Sequence, residues 1–234
     1  MVMHKTIGII GGQGPASTID IYNRIITYYQ DKFGARYISD YPPMVIFSIP
    51  TPTLVKSIAN EEKTFSTLFN AIKGLEREGS DFIIITCLSL QYFINKLQDQ
   101  TKIPIISMSP ILAKYIKHKN YKTVGVLGTY TTIKKRICDK SLKELGIQYV
   151  VPNKADQNIV GKTILNIIGG QTRKKDVIAL NKVIKNLQTN GADAIMLACT
   201  ELPLILKQTD VDMPLIDCNK LYSEKVAEYS RNTS

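Results

Sequence analysis

LEREGSDFIIITCLSL (residues 75–90) and LQTNGADAIMLACTEL (residues 187–202) carry one pattern twice. Leu75 matches Leu187, Gly79 matches Gly191, Asp81 matches Asp193, Ile83 matches Ile195, Cys87 matches Cys199 and Leu90 matches Leu202, at a constant offset of 112. In each copy a helical segment stops at a glycine, and a run of bulky apolar residues then ends on a cysteine. A short continuous apolar run bounded by turn signals reads as a strand buried on both faces of a parallel sheet. Two further pairs keep the same order: KTIGIIG from Lys5 with KTVGVLG from Lys122, and IPII from Ile103 with MPLI from Met213. Ordered self-similarity of this kind marks a duplicated α/β unit with small insertions.

Working outward, KTIGII is the first buried strand, and Pro15 suits the first turn of the helix behind it. Ile21, Tyr22, Ile25, Ile26, Tyr29 and Phe33 recur there at helical spacing. MVIFSIP reads as a second strand ended by PTPT. Phe65, Leu68, Phe69, Ile72 and Leu75 mark the next helix, which stops near Gly79. DFIIITC and IPII complete the set. The second half repeats it with VGVLG, a helix from about Thr132, YVVP, a helix ending near Gly191, and AIMLAC. Alternating strands and helices predict an α/β fold. The expected architecture is two similar Rossmann-like or flavodoxin-like domains with parallel sheets, pseudo-twofold related, with an active-site cleft between them. Residues 1–105 plus a C-terminal helix at about 215–234 form the first domain, and 106–214 the second.

Composition narrows the function classes. The chain has 234 residues, 44% hydrophobic and 21% charged, with a net charge of +10. Its lysines and arginines are dispersed without interleaved aromatics, which argues against nucleic acid and for a solvated basic face that draws in anionic small molecules. No apolar run approaches the ~18 residues of a membrane span. The opening residues lack a signal-peptide pattern and the cysteines have no CxxC pair, so reduced thiols in the cytoplasm are expected. The two histidines, His4 and His118, lie far in sequence from any cysteine, so no metal site is expected.

A single cysteine at the end of an apolar strand is ordinarily a small hydrophobe. Two at the same point of a repeat, at the strand ends where open α/β sheets hold ligands, point to shared chemistry. Opposed thiols suit the removal of a proton from carbon and its return on the other face, one group as thiolate and the other as thiol. A helix expected directly after each cysteine would present N–H groups to a carboxylate and favour thiolate. Ser89 and Thr200 add hydroxyl donors.

IGIIGGQGPASTIDIYNRII, GVLGTYTT and above all ACTELPLIL resemble the aspartate/glutamate racemase family, the cofactor-independent branch of the Asp/Glu/hydantoin racemases. The resemblance covers almost the whole chain. It implies two-base racemisation of an amino acid by Cys87 and Cys199, without pyridoxal phosphate or metal, and a homodimer. The family's first motif is typically cysteine, asparagine, threonine, a small residue and histidine; here it is Cys87, Leu88, Ser89, Leu90, Gln91. Gln13 stands where the family often has methionine. In SIPTPTLVKS, which holds the candidate Thr51, Leu54 falls near the arginine that aspartate racemases often carry. A basic residue used by some members aligns near Asn158, with Lys162 one turn later. A substrate other than aspartate or glutamate is therefore expected. Isomerisation or decarboxylation of a small dicarboxylate, and a non-catalytic ligand-binding relative, are the alternatives.

The remaining motifs are weaker. GGQGPAS lacks the third glycine of a dinucleotide fingerprint, and Gly161-Lys162-Thr163 lacks the earlier glycine of a P-loop. The turn at Gly12 can still bind a carboxylate through its amides. Thr129 and Thr132 form the matching turn in the second half, as helix cap or ligand contact. Glu201 is a helix cap or an ammonium-orienting group. Cys138 and Cys218 lack twins and read as structural; Asp20 and Asp217 read as helix-side or loop residues.

Overall fold

The computed structural model describes residues 4–52 and 55–231. Its contacts divide the chain into two compact units. Met1–Pro52, Ala59–Ser107 and Asn219–Ser234 make the first; Thr53–Ile58 and Met108–Cys218 make the second.

In the first unit β1 (Ile7–Gly11) is buried along its whole length. Gly12 follows with φ 92°, and a Cβ there would lie 2.7 Å from the backbone nitrogen of Ile49. Glycine is required at this turn by both conformation and space. Helix α1 (Pro15–Phe33) then starts on its proline and stops at Gly34, whose N–H returns to the Tyr29 carbonyl. Strand β2 (Met44–Ser48) leads to α2 (Glu61–Arg77). Asn60 caps α2 by accepting the Lys63 N–H at 2.8 Å, with Glu61 and Glu62 in the first turn and Arg77 in the last, as the helix dipole favours. Strand β3 (Phe82–Ile85), the short α3 (Ile94–Gln98) and β4 (Ile105–Ile106) follow. The parallel sheet runs β2-β1-β3-β4.

The second unit begins with α4 (Met108–His118) and β5 (Thr123–Gly128). After α5 (Tyr130–Lys134), α6 (Asp139–Glu144) and β6 (Gln148–Val150) come α7 (Lys154–Ile168) and α8 (Lys174–Thr189). Strand β7 (Ala194–Ala198), α9 (Leu202–Ile205) and β8 (Leu215–Asp217) complete it. Its parallel sheet runs β6-β5-β7-β8, the same permutation as the first. Helix α10 (Cys218–Arg231) then returns to the first unit. There Tyr222, Val226 and Ala227 are fully buried, and Asn219 donates to Asp20 at 2.8 Å.

Three local expectations are corrected. The single helix expected from Thr132 is broken into α5 and α6, because Arg136 takes a left-handed φ of 53° and the Ile137 N–H turns back to the Thr132 carbonyl. That turn brings Cys138 and Leu142 into the interior. Between β6 and β7 there are two helices rather than one, joined across Gly169 and Gly170. Asn186 donates to Asp156 and Asn166 to Asp176, both at 2.9 Å, tying α8 to α7. Finally, no regular α-helix starts directly after either cysteine: a 3-10 turn over Leu88–Phe93 follows Cys87, and α9 begins only at Leu202.

Val55 is 4% exposed and packs in the core of the second unit with Leu127, Val160, Ile164, Leu202 and Cys199. Its carbonyl accepts the Tyr130 N–H at 3.0 Å. Burying a side chain of this size is worth ~1.5 kcal/mol or more, enough to seat the segment in the second unit. Leu54 lies outside the described residues.

Candidate active site

Each sheet presents its cysteine at the carboxyl end of its third strand in chain order. In the first unit the Thr86 N–H donates to the Ile10 carbonyl at 3.0 Å, extending the β1–β3 ladder to the residue before Cys87. In the second, Gly128 of β5 lies in register with Ala198 of β7, the residue before Cys199. One hydrogen bond closes the first turn after each cysteine in the same way. Leu90 N–H donates to the Cys87 carbonyl and Leu202 N–H to the Cys199 carbonyl, each at 3.1 Å. CLSL and CTEL thus share a fold as well as a pattern, and both cysteines are buried, 8% and 5% exposed.

Around Cys87 the first unit gathers a glycine turn and a set of hydroxyls. Gly12 N–H donates to Thr18 Oγ1 at 3.1 Å, and that oxygen lies 3.2 Å from Thr86 Oγ1. Thr86 therefore joins the turn after β1 to the end of β3. Gln13 donates through Nε2 to the carbonyls of Gly11 at 2.6 Å and Ile49 at 2.9 Å, locking the turn against the chain leaving β2. Leu88 is 1% exposed and Ser89 is also buried. Gln91 donates to the Ile85 carbonyl at 3.2 Å and accepts from Ser107 at 3.4 Å. It also reaches the hydroxyl of Tyr222, whose pKa burial drives well above the ordinary phenol range. Gln91 thus braces the strand end. Thr51 is half-buried in the chain that leaves β2.

The second unit places Thr129, Thr132, Cys199, Thr200 and Glu201 at the carboxyl end of its sheet. Thr129 is a helix cap: its Oγ1 accepts the Thr132 N–H at 3.0 Å, and the two hydroxyls lie 3.1 Å apart. Glu201 makes no side-chain cap. Instead the Cys199 thiol donates to Glu201 Oε2 at 3.0 Å, and the Thr200 hydroxyl reaches the same oxygen at 3.3 Å. Two buried donors thus converge on one oxygen of Glu201. Lys162 and Asn158 lie on the exposed side of α7. Cys138 is a different kind of thiol, fully buried, with its pKa pushed up to about 11 by burial. It is suited to packing.

Two residues of these surroundings escaped the sequence reading. Thr86 was hidden inside an apolar run. Gln157 sits on the buried stripe of α7 with Val160, Ile164 and Ile167, and donates to the Gly128 carbonyl at 3.0 Å. A polar residue on an apolar helical stripe was the signal for it. Among the described residues no group of three or more His, Cys, Asp or Glu side chains could hold a metal ion, and no helix is long and apolar enough to cross a membrane.

The family model for Asp/Glu/hydantoin racemase matches residues 10–225. The chain belongs to the Asp/Glu/hydantoin racemase family. Broad specificity amino-acid racemase RacX of Bacillus subtilis (strain 168) is 33% identical over 212 residues, which cover 90% of this chain and 92% of that protein. The crystal structure of an aspartate racemase homologue from Pyrococcus horikoshii OT3 is 29% identical with a TM-score of 0.81, covering 97% of this chain and all of that one. The aspartate racemase of Picrophilus torridus is 26% identical with a TM-score of 0.77, covering 96% of this chain and 94% of its own. Leu88 and Gln91 are both buried, and Gln91 donates to the Ile85 carbonyl at the end of the strand that leads to Cys87.

Proposed function

We propose that the chain is a cofactor-independent amino-acid racemase in which Cys87 and Cys199 act on opposite faces of one substrate Cα. The observation that carries this reading is the same leucine N–H to cysteine carbonyl bond closing the first turn after both cysteines, at equivalent strand ends, with the Cys199 thiol already hydrogen-bonded to Glu201. One cysteine, as thiolate, takes the Cα proton and becomes a thiol. The other, as thiol, returns a proton to the opposite face and becomes a thiolate, so each turnover exchanges their states. The electron pair left on Cα delocalises onto the substrate carboxylate, where Ser89 and the backbone N–H groups of the turn after Gly12 supply donors. The substrate is a free amino acid, held by a homodimeric, cytoplasmic enzyme. Leu88 in place of an amide, and the similarity to a racemase described as broad in specificity, favour a range of side chains beyond aspartate and glutamate.

The test is Cα–H exchange in heavy water across all common L- and D-amino acids. Cys87→Ser should lose exchange of one enantiomer and Cys199→Ser that of the other, each by about 100-fold or more, while the opposite enantiomer still exchanges. Retention of both exchanges at wild-type rates in both variants would sink the two-thiol mechanism. A covalent adduct on one cysteine, formed with maleate-like compounds and without exchange, would move the assignment to the one-cysteine dicarboxylate chemistry.

A further inference from the structure

The two units solve one problem twice by different routes. Gln13 donates through Nε2 to the carbonyl of Gly11, the last residue of β1, at 2.6 Å; Gln157 donates through Nε2 to the carbonyl of Gly128, the last residue of β5, at 3.0 Å. Gly11 and Gly128 are equivalent in the repeat, 117 residues apart, but the glutamines are not: the residue 117 places after Gln13 is Tyr130. Gln13 comes from the turn after the strand, Gln157 from the first turn of α7. These bonds fix which end of each amide is which, because a flipped amide would set oxygen against a carbonyl oxygen. Both Oε1 atoms are then buried, with no hydrogen-bond donor among the described residues. Gln157 itself is 8% exposed. A buried acceptor left in this way is costly and calls for a donor.

We propose that Gln157, with Gln13 as its counterpart, is a substrate-binding residue whose Oε1 accepts an N–H of the substrate ammonium group. This rests on the racemase reading. The position fits: Gly128 stands beside Ala198, whose carbonyl would be 3.0 Å from a Cβ at Gly128, and Cys199 comes next in the chain. The chemistry selects the group. An amide oxygen whose own NH2 is committed to a backbone carbonyl attracts a cationic donor and repels a carboxylate, so it reads the amino end of an α-amino acid. Side-chain identity leaves this contact unchanged, so it suits an enzyme that accepts several amino acids.

Dissociation constants, measured by ligand-induced melting shifts, should be compared for each of the common L-amino acids and its des-amino carboxylic acid. The wild type should prefer at least one amino acid. In Gln157→Met that preference should fall about tenfold, as one charged hydrogen bond is worth, while the des-amino acid binds unchanged. Gln13→Met serves as the second variant if Gln157→Met does not fold. The proposal is overturned by a wild type with no such preference, by variants that keep it, or by equal weakening of both ligands. Cα–H exchange in the same wild-type samples separates the failures. Exchange with an unaltered ammonium preference in the variants discards the amide role alone, whereas absence of exchange discards the racemase reading.

Discussion

The two cysteine motifs differ most at the residue two places on, Ser89 in one and Glu201 in the other, and this difference carries a chemical consequence. Glu201 holds the Cys199 thiol proton at 3.0 Å and lies 4% exposed, with little water to compete. Glu201→Gln keeps the shape but replaces the carboxyl group that takes both the Cys199 and the Thr200 hydrogen bonds by an amide. Exchange of the enantiomer that depends on Cys199 should then slow about tenfold or more, and that of the Cys87-dependent enantiomer much less. Single-enantiomer exchange rates in heavy water check this; equal slowing of both would assign Glu201 to packing. At this scale the sequence was partly legible. Cys87 and Cys199 could be found because the repeat presents each as the other's echo. Gln157 has no such echo: its only mark is a polar residue on an apolar helical stripe, and Gln13, which serves the equivalent glycine carbonyl in the first unit, stands at another place in the repeat.

Among the elements, α2 packs closely on β2 at a glycine. Gly74 of α2 faces Phe47 of β2 so tightly that a Cβ would lie 2.1 Å from a ring carbon. Gly74→Ala brings two opposed effects. Helix propensity gains about 1 kcal/mol. Overpacking costs about 1–3 kcal/mol, and the clash here is deep enough for the second to prevail. A net loss of about 1 kcal/mol in urea unfolding is expected; an equal or higher midpoint would mean that Phe47 swings aside without cost. The strands were the most legible elements, since IGIIG, FIII and AIMLA are buried from end to end and carry no competing period. Helices were legible where the repeat held. They failed where it lapsed: α7 has no partner in the first unit, and the α5–α6 break depends on one left-handed residue, Arg136, that no periodicity marks.

The molecule as a whole carries ten more positive than negative charges, and several of its carboxylates are held by partners. Burial works against the Asp139 carboxylate, but hydrogen bonds from Tyr149 and Arg136 outweigh it and bring its pKa below the usual range. The Glu228 carboxyl is likewise lowered: burial opposes ionisation, and Lys225 and Tyr28 overcome it. A carboxyl whose folded pKa is depressed stabilises above its unfolded pKa of ~4, and that contribution disappears as pH falls through the folded value. Growing positive charge adds repulsion in the same range. Asp139→Asn should therefore cost about 1–2 kcal/mol at pH 7 and converge on the wild type near pH 3. Denaturant unfolding at both pH values measures it; a constant difference would remove Asp139 from the acid limb.

Each unit is assembled from separated stretches of chain, and this sets an order in time. The second unit takes Val55 from a stretch made early and needs nothing beyond Cys218. The first unit has its four strands by Ile106, yet lacks Tyr222, Val226 and Ala227 until α10 emerges, after every residue of the second unit. On the ribosome, where domains form as their residues appear, the unit that begins first is the one that finishes last.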